Sequence, residues 1–183
     1  MTSASPTVIA VARDDGHRFS KPTVDAITLV AGHGVEGDAH AGSAVQHLSR
    51  LRRDPSTPNL RQVHLIHSEL FDDVAAKGHA VEPGDLGENV TTTGIDLLDL
   101  PRGTRLRLGE DAIVEVTGLR NPCVQINGFS AGLMKELVRV DDRGETVRLA
   151  GIMSVVVVGG VVRPGDSIDV VLPAGAPLPL LAV

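Results

Sequence analysis

The sequence predicts a mainly β protein, a closed or partly open β-barrel carrying two or more short helices. Three observations predict it. Short runs rich in β-branched residues recur along the 183 residues, punctuated by Gly and Pro. Only two segments have a helical apolar period. No strand–helix alternation runs through the chain, which argues against a doubly wound α/β sheet.

Val8–Ala12 and Ala26–Val30 are the first two strands, and Arg61–Ile66 is the third. Thr104–Leu108 alternates partly and follows the turn-like Pro101-Arg102-Gly103; Ile113–Thr117 comes after the loop at Gly109-Glu110-Asp111. Val155–Val158 and Ser167–Leu172 complete the set, with Gly159-Gly160 and Pro164-Gly165-Asp166 read as turns. Pro then Gly suits the centre of a type II turn, and the same triplet recurs at Pro83-Gly84-Asp85. One helix is expected from a Ser68 cap through Leu70, Phe71, Val74 and Ala75 to Gly78. A second is expected from a Ser130 cap through Leu133, Met134, Leu137 and Val138. Residues 174–183, rich in Pro and Ala, read as a loosely attached tail. Ser43–Leu60 is basic, then Pro-rich, and reads as a long loop and candidate lid.

Composition narrows the function. Apolar residues at 42% suffice for a core, and the length fits a single domain, 1–183. Three Phe with no Tyr or Trp give no base-stacking platform, and a net charge of −6 opposes phosphate backbones, so no nucleic-acid partner is expected. An anionic ligand must then be held by a local basic pocket. One cysteine excludes an intrachain disulfide, a four-cysteine zinc site and a four-thiolate cluster from this chain. Neither a secretory signal nor a membrane span is visible, so the expectation is a cytoplasmic protein.

Several motifs have competing readings. Gly32-His33-Gly34-Val35-Glu36-Gly37 matches a dinucleotide fingerprint, but Asp38 and Gly42 interrupt the helix that fingerprint requires, so a tight turn is the better reading. His33, His40 and His47 recur every seven residues, and His64 and His67 would face opposite sides of one strand. Hydrogen-bonded histidines are favoured over a zinc site. Asp38-Ala39-His40 has the makings of an acid–base pair and Glu88-Asn89 sits in a Gly-rich turn beginning at Gly84, though for each alone turn-stabilising hydrogen bonds are the favoured reading. No G-x-S-x-G elbow supports a serine hydrolase. In Arg120-Asn121-Pro122-Cys123 the sole thiol follows a guanidinium by three residues, and a nearby cation favours the thiolate. On spacing alone, an activated thiolate and an inert buried cysteine remain equal readings.

Five segments in order resemble the MOSC domain family, named for the C-terminal domain of molybdenum cofactor sulfurase. They are Gly34-Val35-Glu36-Gly37-Asp38-Ala39-His40-Ala41-Gly42, Arg61-Gln62-Val63-His64-Leu65, Gly84-Asp85-Leu86-Gly87-Glu88-Asn89-Val90, Gly94-Ile95-Asp96-Leu97 and Arg120-Asn121-Pro122-Cys123. The resemblance spans about residues 20–172 and is closest to short, stand-alone members, since a separate N-terminal barrel domain and a ferredoxin-like cysteine set are both lacking.

The resemblance implies a barrel-like fold with a cleft for the molybdenum cofactor, a pterin carrying molybdenum. It makes Cys123 either the thiolate ligand of the metal or a persulfide carrier. Arg61 and Arg120 become candidates for the cofactor phosphate or pterin oxygens. Lys21 adds charge at the entrance, Gly37 and Gly87 allow close backbone approach, and Glu88, Asn89 and Asn121 line the cleft. Asp38 and His40 hydrogen-bond the pterin or deliver a proton. The implied function is reduction of N-hydroxylated compounds such as hydroxylaminopurines, amidoximes or N-oxides. Electrons then come from a separate flavoprotein or iron–sulfur protein. The alternative is a non-catalytic carrier of cofactor or sulfur working with a cofactor sulfurase, through which alone pyridoxal phosphate would enter.

Overall fold

The computed structural model describes residues 5–44 and 58–183. Thirteen strands are present among them, and eight build the main sheet. In chain order they are β1 (Thr7–Ala12), β2 (Thr23–Val24), β3 (Ile27–Val30), β4 (Gly34–Val35), β5 (Val63–His67), β6 (Val90–Thr93), β7 (Arg105–Leu108), β8 (Ala112–Leu119), β9 (Val138–Val140), β10 (Thr146–Arg148), β11 (Ile152–Val158), β12 (Gly160–Val162) and β13 (Ile168–Val171). The main sheet runs β13-β7-β8-β11-β5-β6-β1-β2, antiparallel except for β5 and β6. That parallel pair needs a crossover, which helix α1 (Glu69–Ala75) supplies.

The sheet curls strongly. Six places separate β13 from β1, yet Thr7 bridges Ser167 and the Val8 N–H donates to the Asp166 carbonyl at 2.8 Å. The contact is one isolated bridge and not a ladder, so of the two expected forms, a closed or a partly open barrel, the closed one is corrected: the sheet is open and rolled among the described residues. A smaller sheet, β12-β3-β4, packs inside the curl, and β9 and β10 form a separate hairpin.

Burial follows the pleat. On β5, Val63 and Leu65 enter the main core with Val8, Leu106, Val114 and Ile152. Ile66 joins a second cluster with Leu70, Phe71, Val74, Ile126, Leu133 and Leu137. Successive side chains alternate faces, so β5 is buried on both and reads as a continuous apolar run. His64 shares the face of Ile66, which places it on the helical side.

Most predicted strands are present, some longer than their apolar runs: β11 begins at Ile152 and β8 spans eight residues. Both Pro-Gly turns form, with Gly84 at φ +90° and Gly165 at φ +95°, as the third position of a type II turn requires. Four expectations are corrected. Gly160 opens β12 instead of completing a turn. Ser68 precedes α1 but makes no capping side-chain bond. The second helix splits into α2 (Gln125–Phe129) and α3 (Leu133–Leu137), with Gly132 at the start of α3 and Val138 already in β9. The Ser130 hydroxyl instead meets His79 Nδ1 at 2.8 Å.

The fourth correction concerns the tail. Leu119 and Arg102 donate to the Leu181 and Leu178 carbonyls at 2.8 and 2.9 Å, and Ala182 pairs with Leu119 in parallel. The segment is therefore docked on β8. Of the candidate lid, residues 45–57, with His47, lie outside the described residues. Among the described residues no helix is long and apolar enough to cross a membrane.

Candidate cofactor site

β8 carries the chain to Leu119, where it leaves the sheet. The Arg120 N–H still donates across to the Gly151 carbonyl at 3.0 Å, but Pro122 has no N–H to continue the ladder. Cys123 then turns into α2, its carbonyl accepting from the Ile126 N–H at 3.1 Å. Its thiol is free and half-buried, with Sγ 3.5 Å from the Gln125 side-chain oxygen. Asn121, exposed beside it, accepts from Arg148 Nε at 3.1 Å.

Arg120 runs beneath this turn. It is only 9% exposed, and its guanidinium lies 5.9 Å from the Phe19 ring centroid, within cation–π range. Its Nη1 is buried with no hydrogen-bond partner. Burial pulls the Arg120 pKa down, and the charges of Cys123 and Glu88 push it back up. Burial of the guanidinium beside this turn thus places a cation close to the sole thiol.

Glu88 is fully buried on the turn before β6. One carboxyl oxygen accepts from the Gly84 N–H at 2.6 Å and from the Thr91 hydroxyl at 3.1 Å; the other, Oε2, has no partner. Burial raises the Glu88 pKa against these bonds and the Arg120 charge. Two buried orphan atoms of opposite polarity, Arg120 Nη1 and Glu88 Oε2, thus belong to side chains whose charges interact. A buried group left unsatisfied costs about 1–3 kcal/mol and calls for a partner.

Asp38 is the hub of a buried network. Its oxygens meet Lys21 Nζ at 2.8 Å, Asn89 Nδ2 at 3.0 Å and the His40 N–H at 2.9 Å. The Asp14 N–H and His40 Nδ1 each lie at 3.3 Å. Burial alone would raise this carboxyl, but the His40 hydrogen bond and the charge and hydrogen bond of Lys21 hold it well below the usual carboxylate range. Burial lowers Lys21 below its ordinary value, with Asp38 opposing. Asn89 also donates to the Ala12 carbonyl at 3.2 Å and accepts from the His64 N–H at 3.2 Å. One amide therefore ties β1, β5 and the Asp38 turn together. His40, with a side chain 33% exposed, also stands against His17, the two ring centroids 5.5 Å apart.

His64 closes the network from β5. Its Nε2 sits 2.7 Å from the Ala150 carbonyl, which can only accept, so this nitrogen carries the proton. Burial, then the charges of Arg120, Lys21 and Arg61, hold its pKa well below the ordinary histidine value, and the ring is neutral. A lowered histidine binds its proton in the unfolded chain first, so stability falls as pH drops below about 6.5. Urea unfolding should give a His64→Gln variant a flatter stability profile than wild type between pH 7 and pH 5, by up to about 2 kcal/mol. Parallel profiles would mean that His64 is not held neutral.

The motif residues therefore converge. Lys21, Asp38, Glu88, Asn89, Arg120 and Cys123 share one region beside His64, with Arg61 acting on the same imidazole. Two expectations change. Lys21 is not an entrance charge: its side chain is 4% exposed and paired with Asp38. The Gly84–Gly87 turn does not present open backbone, because a Cβ on Gly84 would lie 2.1 Å from the Lys21 carbonyl oxygen and one on Gly87 2.6 Å from that of Phe19, whereas Gly37 is exposed beside the Arg13 guanidinium. The Gly84 and Gly87 N–H groups are also engaged, by Glu88 and by the Gly84 carbonyl. Sequence reading missed Phe19, although it is one of three aromatics and lies two residues before Lys21. It also missed Asp14, Arg18 and Arg148, ordinary charged residues with no motif around them. No cluster of three or more His, Cys, Asp or Glu side chains able to hold a metal ion occurs among the described residues.

The family model described as MOSC domain matches residues 39–169. The chain belongs to the MOSC domain family. Three solved MOSC-like structures share its fold. The YuaD protein of Bacillus subtilis superposes with a TM-score of 0.72 at 24% identity, covering 91% of this chain and 95% of that one. YiiM from Escherichia coli gives 0.60 at 21% identity, covering 94% and 73%. YiiM from Geobacillus stearothermophilus gives 0.58 at 18%, covering 97% and 78%. No curated protein matches the sequence. MOSC domains are associated with binding of the molybdenum cofactor. The residues of this MOSC domain suit such a group: a free, half-buried thiol and, close in sequence, a buried guanidinium whose Nη1 has no partner among the described residues.

Proposed function

We propose that this protein binds the molybdenum cofactor with Cys123 as thiolate ligand of the metal, and reduces N-hydroxylated small molecules. The observation that supports it best is the sole thiol, free and half-buried, three residues after Arg120, a buried cation whose Nη1 lacks a partner among the described residues. When bound, the group supplies two-electron chemistry that takes the hydroxyl oxygen from the substrate, the overall change being R–NHOH + 2e⁻ + 2H⁺ → R–NH₂ + H₂O. Arg120 would direct its unpartnered Nη1–H, and Arg61 its guanidinium, toward the cofactor phosphate or pterin oxygens. Lys21, Asn89 and Asp38 brace the cleft from behind. Asp38 would orient the His40 ring through Nδ1, leaving Nε2 as the nitrogen that exchanges a proton with the substrate. Electrons come from a separate flavoprotein or iron–sulfur protein, since one cysteine builds no cluster within this chain.

Molybdenum-loaded protein with a chemically reduced viologen should reduce an amidoxime or hydroxylaminopurine to the amine. NADH alone should give no turnover. Loaded protein that reduces no N-hydroxylated compound would overturn the reductase reading and favour the carrier. The position of Cys123 supports that second reading: Val124, next to it, is 80% exposed, so a second protein can approach the sulfur. A persulfide on Cys123, seen by mass spectrometry, would then be the expected species.

A further inference from the structure

We propose that residues 178–183 are a positioning strap that sets the geometry of Arg120 and Cys123. β7 pairs with β8 only as far as Glu115, and the two residues before β7 extend the contact to Val116, whose N–H donates to the Thr104 carbonyl at 2.8 Å and whose carbonyl accepts from the Gly103 N–H at 2.9 Å. Beyond that point this edge of β8 needs another neighbour, because unpaired edge groups leave a strand end free to fray. The segment provides it. Leu119 donates to the Leu181 carbonyl at 2.8 Å and accepts from the Val183 N–H at 3.2 Å, so both of its backbone groups are taken on the strap side. The next residue, Arg120, is held from the opposite side by the Gly151 carbonyl. Two consecutive residues are thus clamped from two directions, three residues before the thiol.

Side-chain size enforces the fit. A Cβ on Gly118 would lie 2.3 Å from the Leu181 carbonyl oxygen and 2.6 Å from Val183 Cγ1, so only glycine lets the strap sit against β8. Leu180 packs against the main core, and Arg102 anchors the far end through the Leu178 carbonyl at 2.9 Å. The segment lies outside residues 39–169, the part matched by the family model. The inference holds whether Cys123 serves a metal or a sulfur atom.

Two variants test it: full-length Gly118→Ala, which forces the strap off β8, and a deletion of residues 177–183. Gly118 has no positive φ, so alanine is allowed there and acts through the strap. The readouts are amide exchange at Leu119 and Arg120, iodoacetamide alkylation of the sole thiol, and the urea midpoint. The strap predicts exchange at both amides faster by on the order of tenfold. It also predicts alkylation several times faster and amides of β1 and β6 unchanged. Unchanged alkylation with the strap detached would overturn the proposal, as would loosening spread evenly over the sheet. If the deletion fails to fold, Gly118→Ala decides by the same measurements.

Discussion

Asp38→Ala should destabilise the protein by about 3–5 kcal/mol, because it leaves the Lys21 ammonium buried without its counter-charge. The two side chains are 2% and 4% exposed, and their 2.8 Å contact is reinforced by Asn89 and by the His40 and Asp14 N–H groups. An exposed pair would contribute little, since water and salt screen it. Here each ion has been stripped of water, so removing one partner exposes the full desolvation cost of the other. For a chain of this length the expected fall in melting temperature is roughly 10 °C or more. Adding Lys21→Met to the variant should restore much of the loss, because the orphan charge disappears with it. A loss below about 1 kcal/mol, or no recovery in the double variant, would contradict this account of the hub.

Acid should act through the same residue. The Asp38 pKa is depressed in the folded chain, so its contribution is complete above the unfolded carboxylate value near pH 4 and is lost as pH falls toward the folded value. Asp38→Ala therefore lacks that part of the wild-type decline, a shallower slope below about pH 4 that urea titration would resolve.

How much of this was legible in the sequence depended on whether the signal was local. β-branched runs marked β1, β3, β5, β7, β8, β11 and β13 because their side chains alternate against a core. β6, Val90–Thr93, was not marked; its three threonines give no apolar period, and its place beside β5 comes from a long-range crossover. The docked tail was misread for a related reason. Pro and Ala suggest looseness, whereas the tail is held by backbone bonds to Leu119 and Arg102, and Gly118 contributes only the space it leaves. The site was legible as a set of motif residues, while their division of labour was not. Asp38 and Lys21 looked like cleft residues until their contacts showed them buried against each other. Arg120 and Cys123 were readable together because a three-residue separation across one turn brings their charges into play.

The second large effect concerns Cys123. A molybdenum ligand must be an accessible sulfur that gives up its proton, and Cys123 is the free, half-buried thiol whose charge interacts with Arg120. The chain holds no other cysteine to take its place. Alanine there would remove the sulfur that the proposed ligand role needs while leaving Arg120 and the turn before α2 in place. The loss of retained metal should therefore be nearly complete, with the urea midpoint little changed.

The measurement is elemental analysis of molybdenum in protein purified from a cofactor-competent host supplied with molybdate, wild type beside Cys123→Ala. Near-stoichiometric metal in the wild type and almost none in the variant is the predicted result. Equal metal in both would contradict Cys123 as the ligand, and no metal in either would contradict cofactor binding by this chain.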